Sequence, residues 1–96
     1  MPEKSILQSL HWPARLNVYQ TAEVLGFVVH EIPVLVRDGY LKPLGKPAQN
    51  GHKYFSAVEV RELSQDRAWL DKATRAVAKH WQDRNSQSKS GKELAA

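Results

Sequence analysis

Apolar side chains recur at helical spacing in several stretches of the chain, and proline or glycine separates one stretch from the next. In the first stretch, Ile6, Leu7 and Leu10 lie at helical spacing, and Pro13 prevents a helix from continuing. Residues 1–15 are therefore predicted to form an N-terminal arm or a short helix.

The second stretch has the residues of a capped helix. Asn17 is a favourable N-cap residue, and Gln20 is placed to return a hydrogen bond to it, which is a capping-box pattern. Gly26 can adopt the left-handed conformation that often follows a helix. We predict a helix over residues 18–25, with an apolar face made of Val18, Ala22 and Leu25.

The third stretch contains a proline that limits where its helix can begin. Because proline is tolerated only in the first turn of a helix, Pro33 places the start no earlier than about His30. Gly39 is predicted to end this helix, and Val28 and Val29 are left in the connecting turn. The side chains predicted to face the interior are Ile32, Leu35 and Val36.

A segment interrupted by prolines follows. It contains Asn50-Gly51, a common signal for a tight hairpin turn, with apolar residues on both sides. We expect two short strands, near residues 42–46 and 52–55, that pair as a hairpin.

The last stretch is the longest. Ser56 and Glu59 have the spacing of a second capping box, and we predict one helix that reaches about residue 83. Its apolar stripe comprises Val60, Leu63, Leu70, Ala73, Val77 and Trp81. Residues 85–96 are polar and lack periodicity, so a flexible polar tail is expected there.

Composition narrows the class of protein. The chain has 96 residues, of which 42% are hydrophobic, and this suits one small domain with a modest core. The absence of cysteine excludes disulfides, thiolate zinc sites and a cysteine nucleophile. No stretch has the roughly 20 apolar residues of a membrane span, so we expect a soluble cytoplasmic protein. The net charge of +4 is compatible with a nucleic acid partner.

The order of elements and several residue patterns resemble a known family. The stretches LNVYQTAEVLGF, VRDGYLKP and NGHKYFSAVEVREL are similar to the DNA-binding domains of the MerR and phage-excisionase superfamily, over residues 16–63 or about half of the chain. The resemblance implies a mainly α fold: a winged helix-turn-helix with a two-stranded β-hairpin wing, followed by a long C-terminal helix. It also implies a DNA-binding function.

The second helix of such a domain would contact bases, and here it departs from the family pattern. Family members usually carry a Ser or Thr cap followed by Arg or Lys, whereas no Arg, Lys, Asn or Gln lies between Phe27 and Leu35. The side chains left for base contacts are Val28 or Val29 against a thymine methyl, His30 as a donor or acceptor, and Glu31 as an acceptor from cytosine.

Cationic residues concentrate in the predicted hairpin and just before it. They are Arg37, Lys42, Lys46, His52 and Lys53. Only one acidic residue, Asp38, lies among them. This pattern favours contacts to DNA phosphates, which add affinity with little dependence on sequence. The alternative is that the lysines only keep the hairpin soluble and its edge unpaired.

The apolar stripe of the last helix is a candidate dimerisation surface. Leu63, Leu70 and Val77 recur every seven residues, with Ala73 and Trp81 beside them, which suits an antiparallel helix pair between two copies. The resemblance agrees, because MerR-type proteins dimerise through a helix that follows the DNA-binding domain. Residues 64–84 were assigned this role, and the alternative is that the N-terminal segment covers the stripe within one chain.

No catalytic or metal site is expected. The four histidines lie far apart in the sequence without partners at ligand spacing, and the acidic pairs of the last helix are typical of a solvated face. We therefore expect a non-enzyme without metal, cofactor or small-molecule ligand. The leading hypothesis is a transcriptional regulator or accessory factor that binds double-stranded DNA, and the alternative is a protein-protein interaction module that docks a partner on residues 27–30.

Overall fold

The computed structural model describes residues 11–48 and 51–95, with side chains described through Asn85. Within these residues the chain forms, in order, β1 (Arg15–Leu16), α1 (Val18–Leu25), a 3₁₀ turn (Val29–Glu31), α2 (Ile32–Arg37), β2 (Phe55–Ser56), α3 (Ala57–Leu63) and α4 (Arg67–Ala95). The predicted mainly helical fold with a long C-terminal helix is confirmed. Most of the predicted N-terminal arm, residues 1–10, lies outside the described residues.

Helix α1 has the bounds and caps that the sequence predicts. The Asn17 side chain accepts a hydrogen bond from the Gln20 backbone N–H at 2.8 Å, and the Gln20 side chain accepts one from the Asn17 N–H at 2.9 Å. Gly26 ends the helix at a φ of 83°, a left-handed conformation in which its N–H donates to the Ala22 carbonyl at 2.8 Å. Both ends of α1 are therefore fixed by local sequence.

Helix α2 begins later than predicted. A 3₁₀ turn over Val29–Glu31 precedes the α-helix, so His30 is not an N-cap. Pro33 lies in the first turn of α2, where a missing N–H costs no helical hydrogen bond. The C-terminal end matches the prediction, because Gly39 follows with a left-handed φ of 85°.

The core lies where the two strands, α1, α2 and α3 meet. Helix α1 packs against α3, and α2 packs against α4. The largest fully buried apolar side chains come from four elements and are Leu16, Ile32, Leu35, Phe55 and Val60. Each belongs to a predicted apolar position or to the strand pair, so one small core joins the whole described domain.

The predicted pairing of residues 42–46 with 52–55 is wrong. In the described residues, the strand pair joins β1 to β2 in antiparallel register, Arg15 opposite Ser56 and Leu16 opposite Phe55. In the described parts of this segment, residues 42–48 and 51–54, the Leu44 N–H donates to the Tyr54 carbonyl at 2.8 Å, but no strand is present. Pro43 and Pro47 lack the N–H groups that a ladder needs, and Leu16 supplies a more complete partner for Phe55.

The predicted single C-terminal helix is two helices. Helix α3 ends at Leu63, and α4 starts at Arg67 after a short turn. The Asp66 carboxylate accepts a hydrogen bond from the Trp69 N–H at 3.1 Å, as an N-cap does, and the Ser64 hydroxyl donates to the Arg61 carbonyl at 2.6 Å. These local side-chain bonds compete with a continuous helix and allow α4 to change direction.

The backbone of α4 is helical to Ala95, where the sequence predicted a flexible polar tail. Residues such as Gln, Lys, Glu, Leu and Ala in this region have good helix propensity. Extending a helix that already exists avoids the cost of nucleation. The prediction that the helix ends near residue 83 was therefore wrong, because the helix continues through residues that have no apolar stripe.

Helix α4 packs antiparallel to α2 within one chain. Its residue Trp69 donates through the indole N–H to the Tyr40 carbonyl after α2 at 3.1 Å, whereas Trp81 lies beside Glu31 at the other end of α2. Ala73, 0% exposed, and Val77, 5% exposed, are part of the core. The apolar stripe thus finds a helical partner, but that partner is α2 of the same chain.

The predicted dimerisation residues are corrected accordingly. Ala73 and Val77 are not exposed for a second copy, and Leu63 and Trp81 are half-buried against the core. Leu70 is also half-buried.

Candidate nucleic-acid interface

A concave surface lies between the start of α1, one face of α2 and the segment 51–54. We name it the α1–α2 groove, and its volume is about 760 Å³. Its lining residues are Asn17, Val18, Tyr19, Val29, Ile32, Pro33, Val36, Arg37, Gly51, His52, Lys53 and Tyr54. The floor is apolar, the rim carries Arg37, His52 and Lys53, and none of the lining residues is acidic.

The structure brings four of the predicted DNA-binding residues together in this groove: Val29, Arg37, His52 and Lys53. Lys42 and Lys46 are exposed on the preceding segment but do not line the groove. His30 is exposed and lies outside the groove, where its ring makes an edge contact with the Trp81 ring at a centroid distance of 5.6 Å.

Arg37 is held at the end of α2 by its neighbours. Its Nε donates to Asp38 at 3.0 Å, and its Nη1 lies 3.4 Å from Nδ1 of His80. The hydrogen bond that Arg37 donates to the Asp38 carboxylate, together with the negative charge of Asp38, raises the pKa of Arg37 above the ordinary arginine value. The guanidinium is therefore always charged, and its orientation is restricted while its side chain stays largely exposed.

Glu31 has a different role from the predicted base contact. One carboxylate oxygen accepts a hydrogen bond from the Val28 N–H at 3.0 Å, and the other accepts from the Trp81 indole N–H at 3.3 Å. Both oxygens are thus engaged within the chain, one at the start of the 3₁₀ turn and one on α4. These bonds hold the Glu31 carboxylate against the 3₁₀ turn and α4, so Glu31 has a structural role here.

Replacing Glu31 with alanine tests this structural role. We expect the free energy of unfolding to fall by about 1–3 kcal/mol, because a helix-start cap and a bond to Trp81 are both lost. Urea denaturation followed by tryptophan fluorescence measures the change. Glu62→Ala is the matched control, since Glu62 is exposed on α3 and its removal should change stability by no more than about 0.5 kcal/mol. Equal effects of the two substitutions would contradict the assignment.

Two tyrosines of the groove were not among the predicted site residues. Tyr54 lies beneath the Arg15 guanidinium, which is 4.3 Å from the ring centroid, and Tyr19 is 72% exposed at the start of α1. Large exposed aromatic rings beside cations are typical of binding surfaces. The sequence signal available was weak, because Tyr19 falls on the polar side of the α1 pattern.

A second concave surface lies on the other side of Arg37, between the end of α2 and one face of α4. We name it the α2–α4 groove, and its volume is about 780 Å³. It is lined by Arg37, Asp38, Tyr40, Lys72, Arg75, Ala76, Lys79, His80, Asp83 and Arg84. Within α4, Arg75 forms an ion pair with Asp71 at 3.2 Å.

Comparison of the chain with models of protein families, with curated proteins and with solved structures finds no match. In the described part of the chain, no group of three or more His, Asp and Glu side chains is arranged to hold a metal ion. None of the described helices is both long and apolar enough to cross a membrane.

Proposed function

We propose that this chain is a DNA-binding protein of the MerR/excisionase-like type, a transcriptional regulator or accessory factor. In this proposal α1 and α2 form the helix-turn-helix, and the segment 42–54 takes the place of the wing. Contact with double-stranded DNA is made mainly to the phosphate backbone. Base contacts are limited to apolar side chains on the exposed face of α2.

The observation that carries the proposal is the α1–α2 groove. Three separate parts of the chain, α1, α2 and residues 51–54, form one concave surface that has cations on its rim and no acidic residue in its lining. A polyanion entering this groove would meet Arg37, His52 and Lys53, and the carboxylate of Asp38, which is paired with Arg37, lies outside the lining. The lysines at 42 and 46 lie on the same segment and extend the positive surface.

The chemistry of the groove floor explains why backbone contacts dominate. Val29, Pro33 and Val36 offer no hydrogen-bonding side chain to a base edge, so they can contact only apolar groups such as a thymine methyl. Glu31, the acceptor that the sequence offers for a cytosine, is already hydrogen-bonded within the chain. Affinity should therefore depend strongly on salt and weakly on sequence.

Binding of a labelled random-sequence duplex, measured by fluorescence anisotropy at several salt concentrations, tests the proposal. We expect wild-type protein to bind at low salt, and the Lys46→Gln/Lys53→Gln variant to have a smaller salt slope by about 2. Near 0.15 M salt, loss of two phosphate contacts corresponds to roughly 30-fold weaker binding.

The matched control removes two cations elsewhere. Arg61 and Arg67 are exposed and line neither groove, so Arg61→Gln/Arg67→Gln changes the net charge equally. This control should retain nearly wild-type affinity. Absence of duplex binding by the folded wild-type protein at low salt, or equal losses in both variants, would reject the groove as the DNA contact.

The apolar floor favours a second candidate function, a protein-protein interaction module. Val29, Pro33 and Val36 line the groove, and Val28, 50% exposed, lies next to it in sequence. An apolar patch with a polar rim is typical of a protein-binding surface. If the folded protein does not bind the duplex at low salt, this function is favoured over DNA binding.

A further inference from the structure

The α2–α4 groove has a strongly positive lining that the proposed contacts in the α1–α2 groove do not use. Five of its lining residues are cationic, namely Arg37, Lys72, Arg75, Lys79 and Arg84, whereas two are acidic, Asp38 and Asp83. Asp38 is already paired with Arg37. The surface along α4 therefore keeps a net positive charge after local pairing.

Two of the α4 cations are available to a ligand. Among the described residues, neither Lys72 nor Lys79 forms an ion pair, and both side chains are exposed. Arg75 pairs with Asp71, but its side chain is 80% exposed, so this pair contributes little to stability and can rearrange. Lys72 and Lys79 are therefore the cations of this groove that can contact an anionic ligand without giving up an ion pair to a described residue.

The shape of this surface suits an extended ligand. Lys72, Arg75 and Lys79 follow one side of α4, and seven residues of helix span about 10 Å. Measured along the axis of a duplex, where each strand has one phosphate per roughly 3.4 Å, that distance corresponds to about three phosphates. A site for a compact small molecule is usually enclosed and mainly apolar, whereas this groove is lined mostly by long charged side chains.

Arg37 connects the two grooves, because it lines both. We infer that the α2–α4 groove is a second backbone-contact surface for the same DNA duplex, an inference that rests on the proposed function. Phosphates of one strand follow Lys72, Arg75 and Lys79 along α4 and reach Arg37, whose Nη1 lies 3.4 Å from Nδ1 of His80. Asp83 would repel phosphates, so the path ends near this residue.

The inference is tested with the labelled random-sequence duplex and the Lys72→Gln/Lys79→Gln variant. Gln and Lys have similar helix propensity, and both positions are exposed, so circular dichroism should show unchanged folding. We expect the salt slope to decrease by about 2 and the affinity near 0.15 M salt to fall roughly 30-fold. Arg61→Gln/Arg67→Gln is again the control of equal charge.

A second variant is expected to bind the duplex more tightly than the wild type. Removing the repulsion at the end of the path with Asp83→Asn should tighten duplex binding by up to about fivefold near 0.15 M salt. A general loss of folding cannot produce this result. Tighter binding by Asp83→Asn, together with weaker binding by the lysine variant, supports the inferred path.

The binding measurements distinguish a failure of the inferred α4 path from a failure of the proposed function. If wild-type protein binds the duplex and Lys46→Gln/Lys53→Gln weakens it, but Lys72→Gln/Lys79→Gln equals its control, the α4 path is rejected and the proposed function stands. If folded wild-type protein does not bind the duplex at low salt, both are rejected.

Discussion

The substitution Phe55→Ala is expected to lower the free energy of unfolding by about 3–5 kcal/mol. Phe55 is 1% exposed and lies in β2, paired with Leu16, so its removal leaves a cavity where the strand pair meets the core. Domains of this size are stabilised by only about 5–15 kcal/mol in total, so the loss is a large fraction. Urea denaturation followed by circular dichroism measures it.

The control for Phe55→Ala is Val58→Ala. Val58 is 67% exposed on α3, three residues after Phe55, and alanine has the better helix propensity. Its effect should stay within about 0.5 kcal/mol. A Phe55→Ala variant as stable as this control would show that the β1–β2 pair does not anchor the core.

The substitution Leu35→Ala is expected to cost about 3–4 kcal/mol and to weaken both grooves together. Leu35 is 0% exposed on α2, the helix that packs against both α1 and α4. The Leu35 carbonyl also accepts hydrogen bonds from the N–H groups of Tyr40 and Leu41 at the end of α2. Because both grooves use α2 as a wall, a shift of this helix disturbs both surfaces.

Denaturation and duplex binding are measured on the same Leu35→Ala sample, with Leu35→Met as the control. Methionine nearly conserves the volume, so a loss below about 1.5 kcal/mol is expected. If Leu35→Ala lowered the free energy of unfolding but its folded fraction bound the duplex with wild-type affinity, α2 would not position the proposed DNA contacts.

Local sequence was sufficient to predict the elements whose ends are set by their own residues. Asn17 and Gln20 form the predicted reciprocal cap of α1, and Gly26 and Gly39 adopt the left-handed conformations expected after α1 and α2. Each depends on interactions within a few residues. The caps therefore need no knowledge of the rest of the fold.

The predictions that were wrong concern the choice of a distant partner. The predicted partner of Phe55 was the segment 42–46, but Leu16 pairs with it instead. The heptad pattern of Leu70 and Val77 led to the prediction of an antiparallel helix pair between two copies, whereas α4 packs against α2 of the same chain, because periodicity does not identify the partner. Asp66, an N-cap inside the stripe, was the local signal for the break before α4.

The predictions for the candidate site also divide into those that local sequence supports and those that depend on distant residues. Charge in the sequence identified Arg37, His52 and Lys53, which meet at one groove. The sequence predicted a base contact for Glu31. It does not show that the Glu31 carboxylate accepts hydrogen bonds from the Val28 N–H and from the indole of Trp81, fifty residues away. It also gave no role to Lys72 and Lys79, because only the fold brings α4 beside Arg37.

The two indole hydrogen bonds of α4 hold α2 at both ends. Trp81 contacts Glu31 just before α2, and Trp69 contacts the Tyr40 carbonyl just after it. A helix as short as α2 would be marginal alone, yet these contacts leave it little freedom to rotate or slide. The entropic penalty of ordering α2 is therefore met when the protein folds, and a ligand that binds along this helix encounters a preorganised surface.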